Sequence, residues 1–154
     1  AQFLRQAGGR IPNLAGLKYS KPDLAELARC VELAGGRFNV LFGCEDILLA
    51  GLDFGARGSI GTMFNFAAPL FRRLLDAFTA GDMAAARRQQ ARVNALMAVL
   101  GRYDVLPACK AIMAMIGADC GPPRTPLRPL NREECARLRA ELESIAFFEY
   151  CCRR

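Results

Sequence analysis

The first residue in this chain that could act on a carbonyl group is Lys18, at the end of a short apolar stretch. In Ile11-Pro12-Asn13-Leu14-Ala15-Gly16-Leu17-Lys18-Tyr19-Ser20 the run Leu14–Leu17 is too short for a helix and is bounded by turn signals, so it reads as a buried strand that Lys18 ends. Side chains alternate along a strand, which puts Leu14, Gly16, Lys18 and Ser20 on one face and Ala15, Leu17 and Tyr19 on the other. Lys18 and Tyr19 therefore cannot serve one site, and Tyr19 reads as core packing. A lysine at the carboxyl end of a buried parallel strand stands where α/β folds place reactive groups, and partial desolvation there favours a neutral amine able to attack a ketone. From position alone the plainer reading comes first: a solvated lysine that closes a strand. Its neighbours have to change that.

Two further segments carry groups that could serve such a lysine. Gly43-Cys44-Glu45-Asp46 follows the apolar run Phe38–Phe42 and sets two carboxylates at a strand end and a helix start. There they complement the positive end of the helix dipole, and they also rim any strand-end site, where they could accept hydrogen bonds from a polyhydroxylated substrate. Both readings stand. Gly58-Ser59-Ile60-Gly61-Thr62 allows close backbone approach at a third strand end, although such a glycine pair is weak support for phosphate binding. Ser20 is the cap of the next helix, a hydroxyl beside the amine, or both.

Composition narrows the chemistry further. There is no histidine, which excludes Ser-His-Asp and Cys-His catalysis within the chain and leaves Lys, Tyr, carboxylates and hydroxyls. The seven cysteines are an odd number without a C-x-x-C pair; they read as free thiols of a reducing cytosol, with no metal site. No run of about 18 apolar residues is present to span a bilayer and no secretory signal opens the chain, so a soluble cytoplasmic protein is expected, with no membrane partner. The net charge is +6, but the arginines are spread along the chain, and the pair Arg153-Arg154 has no aromatic interleaving. Solvated helix faces explain this better than a nucleic-acid partner.

The elements that must position these residues follow from periodicity. The 154 residues, 53% hydrophobic and 23% charged, read as one globular unit. Phe3, Leu4 and Ala7 recur at helical spacing with no cap ahead, as though the chain were entered partway through a helix. A helix is expected over 21–34, with Pro22 in its first turn, Asp23 at its positive end and Gly35-Gly36 after it. Phe38–Phe42 is a second strand, a short helix runs through Phe54 to a stop at Gly55, and Gly58–Gly61 is a third strand. Strand, helix, strand, helix, strand with short connections is the pattern of a parallel α/β sheet. Beyond Gly61 the pattern is helical: one segment carries Leu70, Leu74 and Phe78, the next two run over 83–100 and 104–116, and a last helix is capped by Asn131 with Glu134 three residues on. Three strands and about seven helical segments result.

Taken together, these segments resemble the C-terminal half of the N-acetylneuraminate lyase and dihydrodipicolinate synthase family of (β/α)8 barrels. The stretch from Ile11 to Ser20 resembles the family's sixth strand with its Schiff-base lysine, Leu41–Asp46 the seventh strand and following turn, and Gly51–Asn65 the eighth strand and its approach. The residues after Lys18, together with Lys110-Ala111-Ile112-Met113 leading into Gly121-Pro122-Pro123-Arg124, look like the sialic acid lyase branch. The resemblance implies half of a TIM barrel (strands 6 to 8) over 1–80 and a helical extension over 81–154. It implies that Lys18 forms an imine with the 2-keto carbon of a sugar acid or of pyruvate, with no cofactor beyond that covalent Schiff base and no metal. Ser20, Gly43, Glu45, Asp46 and Thr62 would line the pocket and bind the sugar's hydroxyl groups. In the family the proton-transfer tyrosine and the carboxylate-binding turn belong to the N-terminal half, and Tyr103 and Tyr150 are poor substitutes. Three strands where such a barrel has eight leave an open edge, so a homo-oligomer or pairing with the missing half barrel is expected, and this chain alone should be inactive.

Overall fold

Three short strands lie side by side in a parallel sheet: β1 (Gly16–Tyr19), β2 (Asn39–Phe42) and β3 (Gly58–Ser59), in the spatial order β1-β2-β3. This computed structural model describes residues 1 to 152, so the Arg153-Arg154 pair lies outside the described residues. The chain divides into two compact units, 1–61 and 62–154.

In the first unit the strands alternate with helices α1 (Gln2–Arg10), α2 (Leu24–Gly36) and α3 (Leu48–Asp53), the last preceded by a 3-10 turn over Glu45–Ile47. The register sets Lys18 opposite Leu41, Tyr19 opposite Phe42 and Leu41 opposite Gly58. Alternation then separates two faces. On one, Val40 and Phe42 are buried, the Tyr19 and Phe42 rings stack with centroids 6.4 Å apart, and Gly51 of α3 lets the Phe42 ring lie directly on the helix backbone. The other carries Gly16, Lys18, Ser20 and Asn39, of which the last three are exposed.

The strand boundaries differ from the sequence reading for a hydrogen-bonding reason. A turn bond from Leu14 N–H to Ile11 O (3.1 Å) holds 11–14 out of the sheet, and pairing starts where Asn39 N–H reaches Ala15 O at 2.8 Å. The first strand is thus Gly16–Tyr19, half-buried rather than buried, with Lys18 inside it rather than ending it. Likewise α2 starts at Leu24, not Lys21, because Asp23 caps it, its carboxylate accepting Glu26 N–H at 3.0 Å. Ser20 is therefore not the cap. Gly55, at φ +92°, ends α3 in a Schellman arrangement, with Gly55 N–H on Leu52 O (2.9 Å) and Ala56 N–H on Gly51 O (3.0 Å). The third strand stops at Ser59, although Ile60 N–H still reaches Phe42 O at 3.0 Å.

The regular elements described in the second unit are helices, among them α4 (Phe64–Thr79), α5 (Met83–Leu100), α6 (Val105–Met115) and α7 (Arg132–Ser144), around a core that includes Phe66, Leu70, Phe71, Leu96, Ile112 and Phe147. Pro69 lacks an N–H and cannot continue the ladder, so α4 kinks at Ala67 (φ −126°, ψ 23°). The Phe66 carbonyl accepts from Cys152 N–H at 2.8 Å, which ties the end of the described chain into this core.

A capping box starts α7: Asn131 Oδ1 accepts Glu134 N–H at 2.9 Å and Glu134 Oε2 accepts Asn131 N–H at 2.8 Å. Arg128 clamps the same carboxylate through two 2.7 Å bonds. The guanidinium first, and the Asn131 N–H second, hold the Glu134 carboxyl down at about 2, against the usual 4.5. A depressed folded pKa stabilises above the unfolded value and loses that effect as pH falls through the folded one. Fraying of the α7 start is therefore expected as pH drops from about 4.5 towards about 2. Amide exchange at residues 131–135 should register it, and Glu134→Gln should abolish the pH dependence without moving other helix ends.

Candidate active site

β1 and β2 are locked in phase at their carboxyl ends by Gly43 N–H on Tyr19 O, at 2.7 Å. That bond brings the residue after β2 alongside the end of β1. A Cβ placed on Gly43 would fall 2.8 Å from Lys18 Cε and closer still to the Ser20 hydroxyl. Lys18, Ser20 and Gly43 therefore converge on one face, and the space in which the lysine and serine side chains lie exists because residue 43 has no side chain. Lys18 is exposed, so the partial desolvation expected from its strand-end position is not supplied in this chain.

Tyr19 points the other way. Its hydroxyl donates to Asp23 O at 3.1 Å and its ring packs on Phe42; burial first, and the Asp23 carboxylate second, push its phenol up. It is structural.

Glu45 and Asp46 occupy the 3-10 turn that leaves β2. Glu45 is half-buried, its side chain lying against Gly61, and Asp46 is exposed. Between them and Gly43 sits Cys44. Burial pushes its thiol up, the Asp46 and Glu45 carboxylates push it further, and the Lys18 ammonium pulls it back. One electrostatic neighbourhood thus includes Lys18, Cys44 and both acids. The sequence reading counted Cys44 only as a thiol; its place inside Gly43-Cys44-Glu45-Asp46 was the available signal. Thr62 opens the second unit, exposed, its carbonyl accepting from Asn65 N–H (3.3 Å) and from Asn65 Nδ2 (3.0 Å).

The remaining tyrosines are occupied. Tyr103 donates to Glu141 at 3.2 Å in a polar cleft of about 480 Å³ in the second unit, where Arg102 and Arg128 pair with Glu141 and Glu134. Tyr150 is buried and its hydroxyl donates to Ile145 O at 3.5 Å. Among the described residues no helix is long and apolar enough to cross a membrane, no disulfide joins any of the seven cysteines, and no three His, Cys, Asp or Glu side chains gather as metal ligands would.

Comparison with known proteins points in one direction. The chain is similar to the N-acetylneuraminate lyase of Rhizobium meliloti (strain 1021), 38% identical over 134 residues that make up 87% of this chain and 44% of that protein. It is similar also to the N-acetylneuraminate lyase of Rattus norvegicus, at 33% over 144 residues, 92% of this chain and 45% of the other. Among solved structures, the Proteus mirabilis N-acetylneuraminate lyase superposes with a TM-score of 0.89 at 38% identity, covering 95% of this chain and 50% of that one. The chain spans about half the length of the relatives it matches. Residues 6–145 match the profile of the Dihydrodipicolinate synthetase family. With that match covering most of the chain, the chain belongs to the dihydrodipicolinate synthetase family.

Proposed function

We propose that this chain carries the imine-forming lysine of a pyruvate-dependent class I aldolase, a carbon–carbon lyase that cleaves N-acetylneuraminate. The observation that carries the reading is the convergence of Lys18, Ser20 and Gly43 at the end of β1. Only three lysines occur in the chain. Lys21 pairs with Asp23 at 3.3 Å and Lys110 donates to the Cys120 carbonyl at 2.9 Å, which leaves Lys18 as the one at the site.

In this mechanism the Lys18 amine adds to the C2 ketone and loses water to give a protonated imine. The C4 hydroxyl gives up its proton, the C3–C4 bond breaks, and its electron pair enters the imine as an enamine while N-acetylmannosamine leaves. The enamine takes a proton at C3, and water hydrolyses the imine to pyruvate and free Lys18. No cofactor is required. Ser20, Gly43, Glu45, Asp46 and Thr62 line the pocket and hold the substrate's hydroxyl groups. Strands β1 to β3 act as strands 6 to 8 of a (β/α)8 barrel over 1–80, with 81–154 as a helical extension. Turnover needs the remaining strands, from a complementary half barrel or within a homo-oligomer, and the thiols suit a reducing cytoplasm.

Borohydride reduction in the presence of pyruvate, read by peptide mass spectrometry on the full-length protein, tests this. A reduced pyruvyl adduct is expected on Lys18. Its absence would sink the aldolase reading, and labelling without cleavage of N-acetylneuraminate would sink the substrate.

A further inference from the structure

We infer that Gly61 sets the position of the Glu45 carboxylate and is thereby a positioning residue for recognition of the substrate's hydroxyl groups. This rests on the site reading proposed above, and it adds a residue to which that reading gives no role.

Gly61 follows β3 by two positions, and its φ is not among the positive values of this chain. Backbone torsion thus makes no demand for glycine there; space does. A Cβ built on residue 61 would fall 2.5 Å from Glu45 Cγ and nearer still to the carboxyl carbon and Oε1. Side-chain carbons do not approach other heavy atoms so closely, so the Glu45 side chain occupies the volume that a residue with a Cβ would claim.

The neighbouring glycines show how specific this is. At Gly16 the obstacle to a Cβ is the Asn39 backbone, with its carbonyl carbon at 2.6 Å, and that cannot swing aside. At Gly58 a Cβ would meet only Leu41 Cδ2, at 3.3 Å. At Gly61 the obstacle is the far end of a flexible acid side chain, which can rotate away. A methyl group at 61 would therefore relocate the carboxylate and leave the sheet intact. The arrangement mirrors the one at Gly43, where the gap is filled by Lys18 and Ser20.

The test is a double-mutant cycle in the full-length protein with N-acetylneuraminate as substrate. Gly61→Ala is expected to raise KM on the order of tenfold, the effect of losing one hydrogen bond to a charged group. Borohydride trapping of pyruvate on Lys18 should stay at the wild-type level, because pyruvate has no hydroxyl for Glu45 to hold. In a Glu45→Ala background, Gly61→Ala should add less than about twofold. Glu45→Asp, one methylene shorter, should recover part of the loss in the Gly61→Ala protein. An unchanged KM in Gly61→Ala, or effects of the two substitutions that multiply, overturns the inference while leaving the aldolase reading in place. So does a large fall in melting temperature for Gly61→Ala, since the obstacle would then be backbone. A wild-type protein that forms no pyruvate adduct overturns the site reading itself, and this inference with it.

Discussion

Lys18→Arg is expected to erase the pyruvate adduct and to lower turnover of the full-length protein by on the order of 10⁴-fold. The substitution keeps a cation of similar reach, so it separates charge from nucleophilicity. A guanidinium stays protonated and cannot add to a ketone. Lys18 is exposed on the sheet face opposite Val40 and Phe42, so the exchange should shift stability by no more than about 0.5 kcal/mol. Mass spectrometry after borohydride, beside a thermal melt, checks both halves. An adduct that persists in the variant would move the chemistry to another lysine and end the case for Lys18.

The second large effect falls on the opposite face. Phe42→Ala should destabilise the chain by about 3–5 kcal/mol, the cost of emptying a fully buried aromatic site, and lower the melting temperature by on the order of 10 °C. Phe42 is 0% exposed, its ring lies on Gly51 and stacks with Tyr19, and its carbonyl accepts both the Ser59 hydroxyl (2.6 Å) and Ile60 N–H (3.0 Å). The backbone bonds survive the substitution, but the side chain that holds β2 against α3 does not, and Gly43 follows directly. Loss of pyruvate trapping should therefore track loss of stability. A melt within about 2 °C of wild type would show that Gly51 and Tyr19 close the void by themselves.

Much of this was legible from residue order. The three strands, the helix stops at Gly35-Gly36 and Gly55, and the capping box at Asn131 and Glu134 each follow from local chemistry: apolar runs of strand length, glycines with positive φ, and a paired side-chain cap. Strand parity alone separates Lys18 from Tyr19, and the structure sets them on opposite faces. Boundaries were less legible because they depend on partners in other elements. The start of β1 is fixed by Asn39 reaching Ala15, and the start of α2 by Asp23 outcompeting Ser20 as cap. Closest to hidden were the distances between side chains of different elements. Nothing in the string reveals that Glu45 fills the gap at Gly61, or that Lys18 and Ser20 fill the one at Gly43.

The pairing of Lys18 with Leu41 and of Gly16 with Asn39 also bears on how this segment can vary in length. A single residue inserted within β1 between Gly16 and Lys18 would turn the lysine towards α2 and α3 and the tyrosine outward, with the hydrogen-bond ladder otherwise preserved. Two inserted residues would return each side chain to its own face. Drift by insertion or deletion inside the strand before the lysine is therefore confined to even steps, and an odd step would leave a chain with the same secondary structure and its amine buried in a hydrocarbon layer.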